Sequence, residues 1–398
     1  MPPLDVFGQD YLRLTLAITK HIDGYIDAYY GPEALRQEVN AAPPRPPAGL
    51  LDDLARLEDS IPGDDPARAV YLSATLRAIE CTLRLLNGET FDYLQEVHRL
   101  YDIHPQLTPE SAFESAHRQL DAWLPPLPGG DMAARLDAWR QRFEIPAERG
   151  LALLELACAE TRRRTTAFID LPGDESVEVR LTGNQPWSAY NWYLGHGRSL
   201  IEFNTDLPLN ATALLATFAH EGYPGHHTEA ILKEQILYRQ RGYAEQAAAL
   251  LHSPAAVIAE GIATTALDMI FPNGEGHNWT TEVLLPAAGI ATEPDTAERL
   301  RGIEAAGAAL RAVNGNAAIL YHTGQLDEAQ TRDYIRAYAL ATPERAAQMF
   351  RFCSHPLYRA YSFTYTEGYN LIAASADPVA TFRRLLVEQV LPSELAAP

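Results

Sequence analysis

The stretch "LPLNATALLATFAHEGYPGHH" (residues 207–227) decides how the rest of the chain is read. Its run "ALLATFA" (213–219) is almost wholly apolar, as in a helix enclosed by a core rather than one lying on a surface. Asn210 stands where an N-cap is expected. His220 and Glu221 follow the apolar run, and a buried Glu beside a His is costly unless both are paired or bound. Three of the chain's 12 histidines fall within residues 220–227. In the zinc-peptidase helix the second histidine comes four residues after the first. Here position 224 is proline, and histidines follow at 226 and 227. On a straight helix His226 would point roughly 120° away from His220, and His227 would share its direction but lie roughly 10.5 Å further along the axis. Neither can share an ion whose bonds are about 2.0–2.1 Å long. Pro224 has no N–H for the carbonyl of residue 220 and clashes with it, and Gly225 permits the turn that follows. The helix is therefore expected to break here and fold His226 or His227 back beside His220.

A catalytic zinc takes three protein ligands and one open position. The third candidate is Glu260 in "HSPAAVIAEGIATTALDMIF" (252–271), a nearly uninterrupted apolar helix with Ser253 and Pro254 at its start. A carboxylate on such a face needs a partner, and a metal is a suitable one. Thr264 and Asp268, one and two turns further on, are candidates for supporting contacts.

Outward from this centre the chain reads as mainly α with some β. Helical periodicity runs through "DYLRLTLAITKHIDGYIDAYY" (10–30), "GLLDDLARLEDSI" (49–61), "PARAVYLSATLRAIECTLRLLNG" (66–88) and "TFDYLQEVHRLYDI" (90–103). "PPLPGGD" (125–131) divides an N-terminal helical region, 1–125, from the remainder, 131–398, within one catalytic unit. Between 172 and 206, "ESVEVRL", "SAYNWYL" and "RSLIEFNTD" predict one small antiparallel sheet. "SLIEFNTD" is expected at its edge, where an extended peptide could add, with Asn204 anchoring the substrate backbone. A short sheet followed by a His-Glu helix is the order of zincin-like domains, which is analogy of fold and not of chemistry. "HPLYRAYSFTYTEGYN" (355–370) places Tyr358, Tyr361, Tyr365 and Tyr369 on one helical stripe.

Composition narrows the partners. With 32 Lys and Arg against 52 Asp and Glu, the net charge is −20. That argues against nucleic acid and acidic membranes. The three cysteines are distant and odd in number, which fits a reducing cytoplasm. The first residues lack the pattern of a signal peptide, and no apolar run reaches the length of a membrane span. No catalytic Ser-His-Asp order, phosphate loop, dinucleotide fingerprint or Cys-His pair competes with the histidine cluster.

His-Glu followed by Pro-Gly-His-His, with Glu260-Gly261 downstream on an apolar helix, resembles the bacterial family catalogued as domain of unknown function 885. That family is similar to gluzincin-type zinc metallopeptidases. "FIDLPGDESVEV", "IEFNTD" and "YSFTYTEGYNL" match it in order and character, and "YIDAYYGP" resembles a segment of a shorter subgroup. The resemblance spans most of the chain and is densest over 200–265. It implies one zinc ion held by His220, Glu260 and either His226 or His227, with Glu221 as the general base. Tyr365 falls at the family's Tyr-x-x-Gly and is the expected oxyanion donor, the other three tyrosines being packing residues. The expected activity is metal-dependent hydrolysis of a peptide. The alternatives are hydrolysis of another amide or ester, or a non-catalytic protein that keeps the fold.

Overall fold

In the computed structural model, which describes residues 4–185 and 187–396, helix accounts for 62% of the chain and strand for 8%. The chain is therefore mainly helical with small sheets. Its strands are β1 (Ile26–Tyr29), β2 (Glu144–Ile145), β3 (Ser176–Thr182), β4 (Ala189–Gly195), β5 (Arg198–Asn204), β6 (Leu209–Asn210) and β7 (Ala248–Leu250).

The three predicted strands of the central sheet form, but the sheet is mixed rather than antiparallel. Its order is β3-β5-β4, with β5 parallel to β3 and antiparallel to β4. The β4–β5 hairpin is dictated by its turn. His196 and Gly197 are the two loop residues and both have positive φ, 56° and 70°, as a type I′ turn requires. This places β5 in the middle of the sheet, so the "SLIEFNTD" strand is not an edge. The edge nearest the histidine cluster is β4.

Two further pairings were not expected. β1 pairs antiparallel with β7, and β2 with β6. The first helix spans Val6–Ile18, not 10–30, because "YIDAYY" leaves it to pair with β7. Its aromatic and branched residues suit a strand, and a partner strand is available only through the tertiary fold. Asn210 likewise lies in β6. Its side chain accepts from the N–H and hydroxyl of Thr212, and the following helix starts at Leu214.

The hydrophobic cores cross the sequence. Tyr11, Leu12 and Ile18 pack with Tyr238, Ala247 and Leu250. Cys81, Tyr93 and Val97 pack with Val257, Ala317 and Phe363. The 125–131 segment is a loop between helices Glu110–Trp123 and Met132–Gln141 whose flanks share one core, including Leu120, Leu124 and Leu136. Among the described residues no single helix is long and apolar enough to cross a membrane.

Beneath the sheet lies the helix Leu214–Glu221, held by Phe218 against Phe203 of β5 at 6.3 Å between ring centroids. The helix Pro254–Ile270 packs against it and against helix Thr364–Ala373. The last two cross almost backbone to backbone. A Cβ on Gly368 would lie 2.3 Å from the Val257 carbonyl oxygen, and one on Gly261 2.7 Å from that of Gly368. Only glycine at both positions allows the approach.

Candidate metal centre

His220 and Glu221 close one helix, and His226 opens the next, which runs to Lys233. The break predicted at Pro224-Gly225 is present, and the Tyr223–Pro224 peptide is cis. The Gly225 N–H donates to the Ala219 carbonyl at 3.0 Å, closing a loop over the last helical turn. A Cβ on Gly225 would lie 1.9 Å from the His220 carbonyl oxygen. Glycine is thus required for the chain to double back, and this return places His226 beside His220.

The two imidazoles stand nearly perpendicular, 88° between planes and 4.8 Å between centroids. Glu260 completes the group. His220 Nε2 is 3.5 Å from Glu260 Oε2, and His226 Nε2 is 3.9 Å from Glu260 Oε1. One ligand atom from each of the three residues lies within 4.8 Å of the others. Tetrahedral bonds of about 2.0–2.1 Å set ligand atoms roughly 3.3 Å apart, so small side-chain adjustments suffice to hold an ion.

The electrostatics fit the same purpose. Burial lowers His226 to about 4, and burial together with the His226 ring keeps His220 well below the ordinary range. Both rings are neutral at pH 7 and offer lone pairs. Burial, with the charges of Asp27 and Glu229 adding to it, pushes Glu260 up to about 8, while the hydrogen bond from Tyr361 acts against the rise. Glu260 Oε2 is buried without a hydrogen-bond partner. An orphaned carboxylate oxygen facing two neutral imidazoles is a donor set suited to a divalent cation. Glu221 Oε1 lies 4.0 Å from His220 Nε2. Burial, and next the charge of Glu260, raise Glu221 to about 8, while the backbone of Asn191 lowers it. The Asn191 side chain donates to the Glu221 carbonyl at 2.6 Å, fixing the helix end against β4.

His227 does not join this group. It is the second residue after the break, turned about 100° from His226, and points into the sheet. Its Nδ1 pairs with Ser199 Oγ at 2.8 Å and its Nε2 with Glu175 at 3.1 Å. Burial pushes Glu175 up, but hydrogen bonds from His227, Tyr223 and Arg162 outweigh it and take the carboxyl down to about 2. This network supports the returning loop from below.

Asn204 is also displaced from its expected role. Its amide donates to the carbonyls of Gln185 and Trp187 at 3.0 Å each, and it belongs to the central strand. The reason is the mixed strand order, which puts β5 in the middle of the sheet and β4 at its edge. Thr264 donates to the Glu260 carbonyl at 2.6 Å and does not support the carboxylate. Asp268 is exposed, and the charges around it are Glu304, Arg311 and His277.

The tyrosines divide differently from the expectation. Tyr365 is 37% exposed, with its ring stacked 6.4 Å from His220. Tyr361, expected to be packing, donates its hydroxyl to Glu260 Oε1 at 2.6 Å. A four-residue spacing from Tyr365 was the signal that the two share a face. Tyr358 stacks on Phe352 and Tyr369 lies under Arg311, as packing residues do.

No protein-family model matches the chain, and no curated protein matches it. Among solved structures, a protein from Colwellia psychrerythraea described as a lipoprotein is similar, with a TM-score of 0.51 and 14% identity. The match covers 92% of this chain and 62% of that one, so the chain spans less than two thirds of its length. At that identity the likeness concerns the fold alone.

Proposed function

We propose that the chain is a metal-dependent hydrolase of peptide bonds, with one zinc ion as the fitting cofactor and a zincin-like arrangement of sheet and helices. The observation that carries this reading is the convergence of His220, His226 and Glu260, with the buried Glu260 Oε2 lacking any other partner. When bound, zinc supplies a Lewis acid that polarises the scissile carbonyl and acidifies water. His220 and His226 would hold it as neutral imidazoles, and Tyr361 orients the Glu260 carboxylate by engaging its Oε1. Glu221, on the same broken helix, takes the proton of the attacking water and passes it to the leaving amine. Tyr365 donates to the developing oxyanion from the open side of the cleft. The substrate is a peptide or small amide lying along the β4 edge, and the chain's charge of −20 disfavours nucleic acid.

The test is Glu221→Gln in zinc-loaded protein. Peptide turnover is expected to fall by about 100-fold or more while stoichiometric zinc is retained, since general-base catalysis contributes roughly 10²–10⁴. Turnover equal to that of the parent protein refutes the mechanism.

A further inference from the structure

Tyr361 holds the Glu260 carboxylate, and the groups that hold Tyr361 lie far away in sequence. Tyr361 opens a single turn, Tyr361–Phe363, between helix Pro343–Ser354 and helix Thr364–Ala373. Short-range bonds shape the segment that leads to it. The N–H groups of Tyr358 and Arg359 donate to the His355 carbonyl at 3.1 and 2.8 Å, and that of Tyr361 to the Tyr358 carbonyl at 3.0 Å. Bonds within a segment fix its shape but not its place against Glu260.

The place is set by helix Tyr93–Tyr101, in the N-terminal region. The Tyr93 hydroxyl donates to the Arg359 carbonyl at 2.8 Å. The Arg359 Nε donates to Glu96 Oε1 at 2.8 Å, and its Nη2 donates to Glu96 Oε2. The Tyr101 ring meets the Tyr361 ring edge-on, with 6.2 Å between centroids and 80° between planes. Tyr93, Glu96 and Tyr101 are all buried. One helix thus grips Arg359 by both its backbone and its side chain. Two residues further on, the Tyr361 hydroxyl reaches Glu260 Oε1 at 2.6 Å. Enclosing a carboxylate as deeply as Glu96 is costly, and apolar groups of the same volume often stabilise a fold as well or better. A two-armed guanidinium–carboxylate pair adds geometry instead, since two parallel bonds fix an angle as well as a distance.

We infer that Glu96 is a positioning residue for the proposed metal centre: through Arg359 it fixes Tyr361, and through Tyr361 the Glu260 carboxylate. The inference rests on the zinc site of the reading above, and not on the substrate.

The test is a double-mutant cycle. Zinc affinity is measured by calorimetric titration of metal-free protein, for the parent, Glu96→Gln, Tyr361→Phe and the two combined. Tyr361→Phe is expected to weaken zinc binding about tenfold to a hundredfold, as for loss of a contact that supports a ligand. Glu96→Gln should weaken it about tenfold. The combined variant should bind zinc as Tyr361→Phe does, within about twofold, because both changes act through one hydroxyl. A merely structural role for Glu96 would multiply the two losses. Arg359→Lys keeps the charge but loses the fork. It should behave as Glu96→Gln does in the same cycle, and it carries the test if Glu96→Gln does not fold. Unchanged zinc affinity in Glu96→Gln and Arg359→Lys overturns the inference, as does an equal loss with and without the Tyr361 hydroxyl. The expected coupling in a protein that cuts no peptide defeats the hydrolase reading and leaves the inference standing. Absence of stoichiometric zinc binding by the parent protein defeats both.

Discussion

At the scale of single residues, two adjacent histidines with the same chemistry have different tasks. The sequence leaves His226 and His227 equivalent, because both follow the break and neither neighbour distinguishes them. Only the three-dimensional return of the chain separates them, sending His226 to Glu260 and His227 to Ser199 and Glu175. His226→Ala is therefore expected to abolish stoichiometric zinc binding, measured by metal analysis after dialysis. His227→Ala should retain zinc with affinity lowered by no more than about 100-fold, the range of a supporting contact. It should also lower thermal stability, because it removes a hydrogen-bond partner of a buried carboxylate, at a cost of about 1–3 kcal/mol. Zinc loss in His227→Ala with retention in His226→Ala reverses the assignment. Glu175 adds a pH dependence to this network. Its folded carboxyl lies near 2, below the ordinary value of 4.5. Its stabilising contribution is therefore complete above about pH 4.5 and is lost as pH falls toward about 2. The melting temperature of Glu175→Gln should lie below that of the parent at pH 6, and the gap should narrow steadily as pH falls below about 4.5. A gap independent of pH excludes the ionised carboxylate as the stabilising form.

At the scale of elements, what was legible in the sequence was whatever local chemistry fixes. The break at Pro224-Gly225 follows from a missing donor and a steric clash, both local. Most of the helices follow from periodicity. Strand partners do not follow, because pairing is decided by segments far away in sequence. "YIDAYY" becomes β1 only because residues 248–250 lie beside it. The same limit hid the role of Tyr361, which depends on how closely two helices cross. That crossing rests on Gly261 and Gly368. Gly368→Ala places a methyl group against the Val257 carbonyl and must push the tyrosine-bearing helix away from Glu260. Overpacking of this kind costs about 1–3 kcal/mol. The variant should keep its zinc ligands but lose hydrolytic rate, read as a fall in kcat with zinc stoichiometry preserved. If kcat is unchanged in a variant whose melting temperature has dropped, then Tyr361 and Tyr365 are not held in place by this crossing.

At the scale of the whole molecule, the proposed metal centre joins segments that the sequence separates widely. Its candidate ligands come from 220, 226 and 260, and the tyrosines beside them from 361 and 365. The cores cross the chain in the same way, since N-terminal residues such as Tyr11 and Cys81 pack with residues beyond 230. No stretch of the first 125 residues encloses these clusters by itself, so ligation at one site should be felt throughout the fold. Zinc that binds only the folded chain stabilises it by about 2.7 kcal/mol when free zinc is 100 times its Kd. Calorimetry of metal-free protein should accordingly give one unfolding transition, and zinc should move that transition upward as a unit by several degrees. A chelator should reverse the shift. Removing residues 1–125 should leave no protein with a cooperative transition, because β7 would lose its pairing strand and Tyr238, Ala247 and Leu250 their apolar cover. Two transitions, with only the upper or only the lower responding to zinc, would instead mean that the N-terminal helices fold as a body independent of the proposed metal centre.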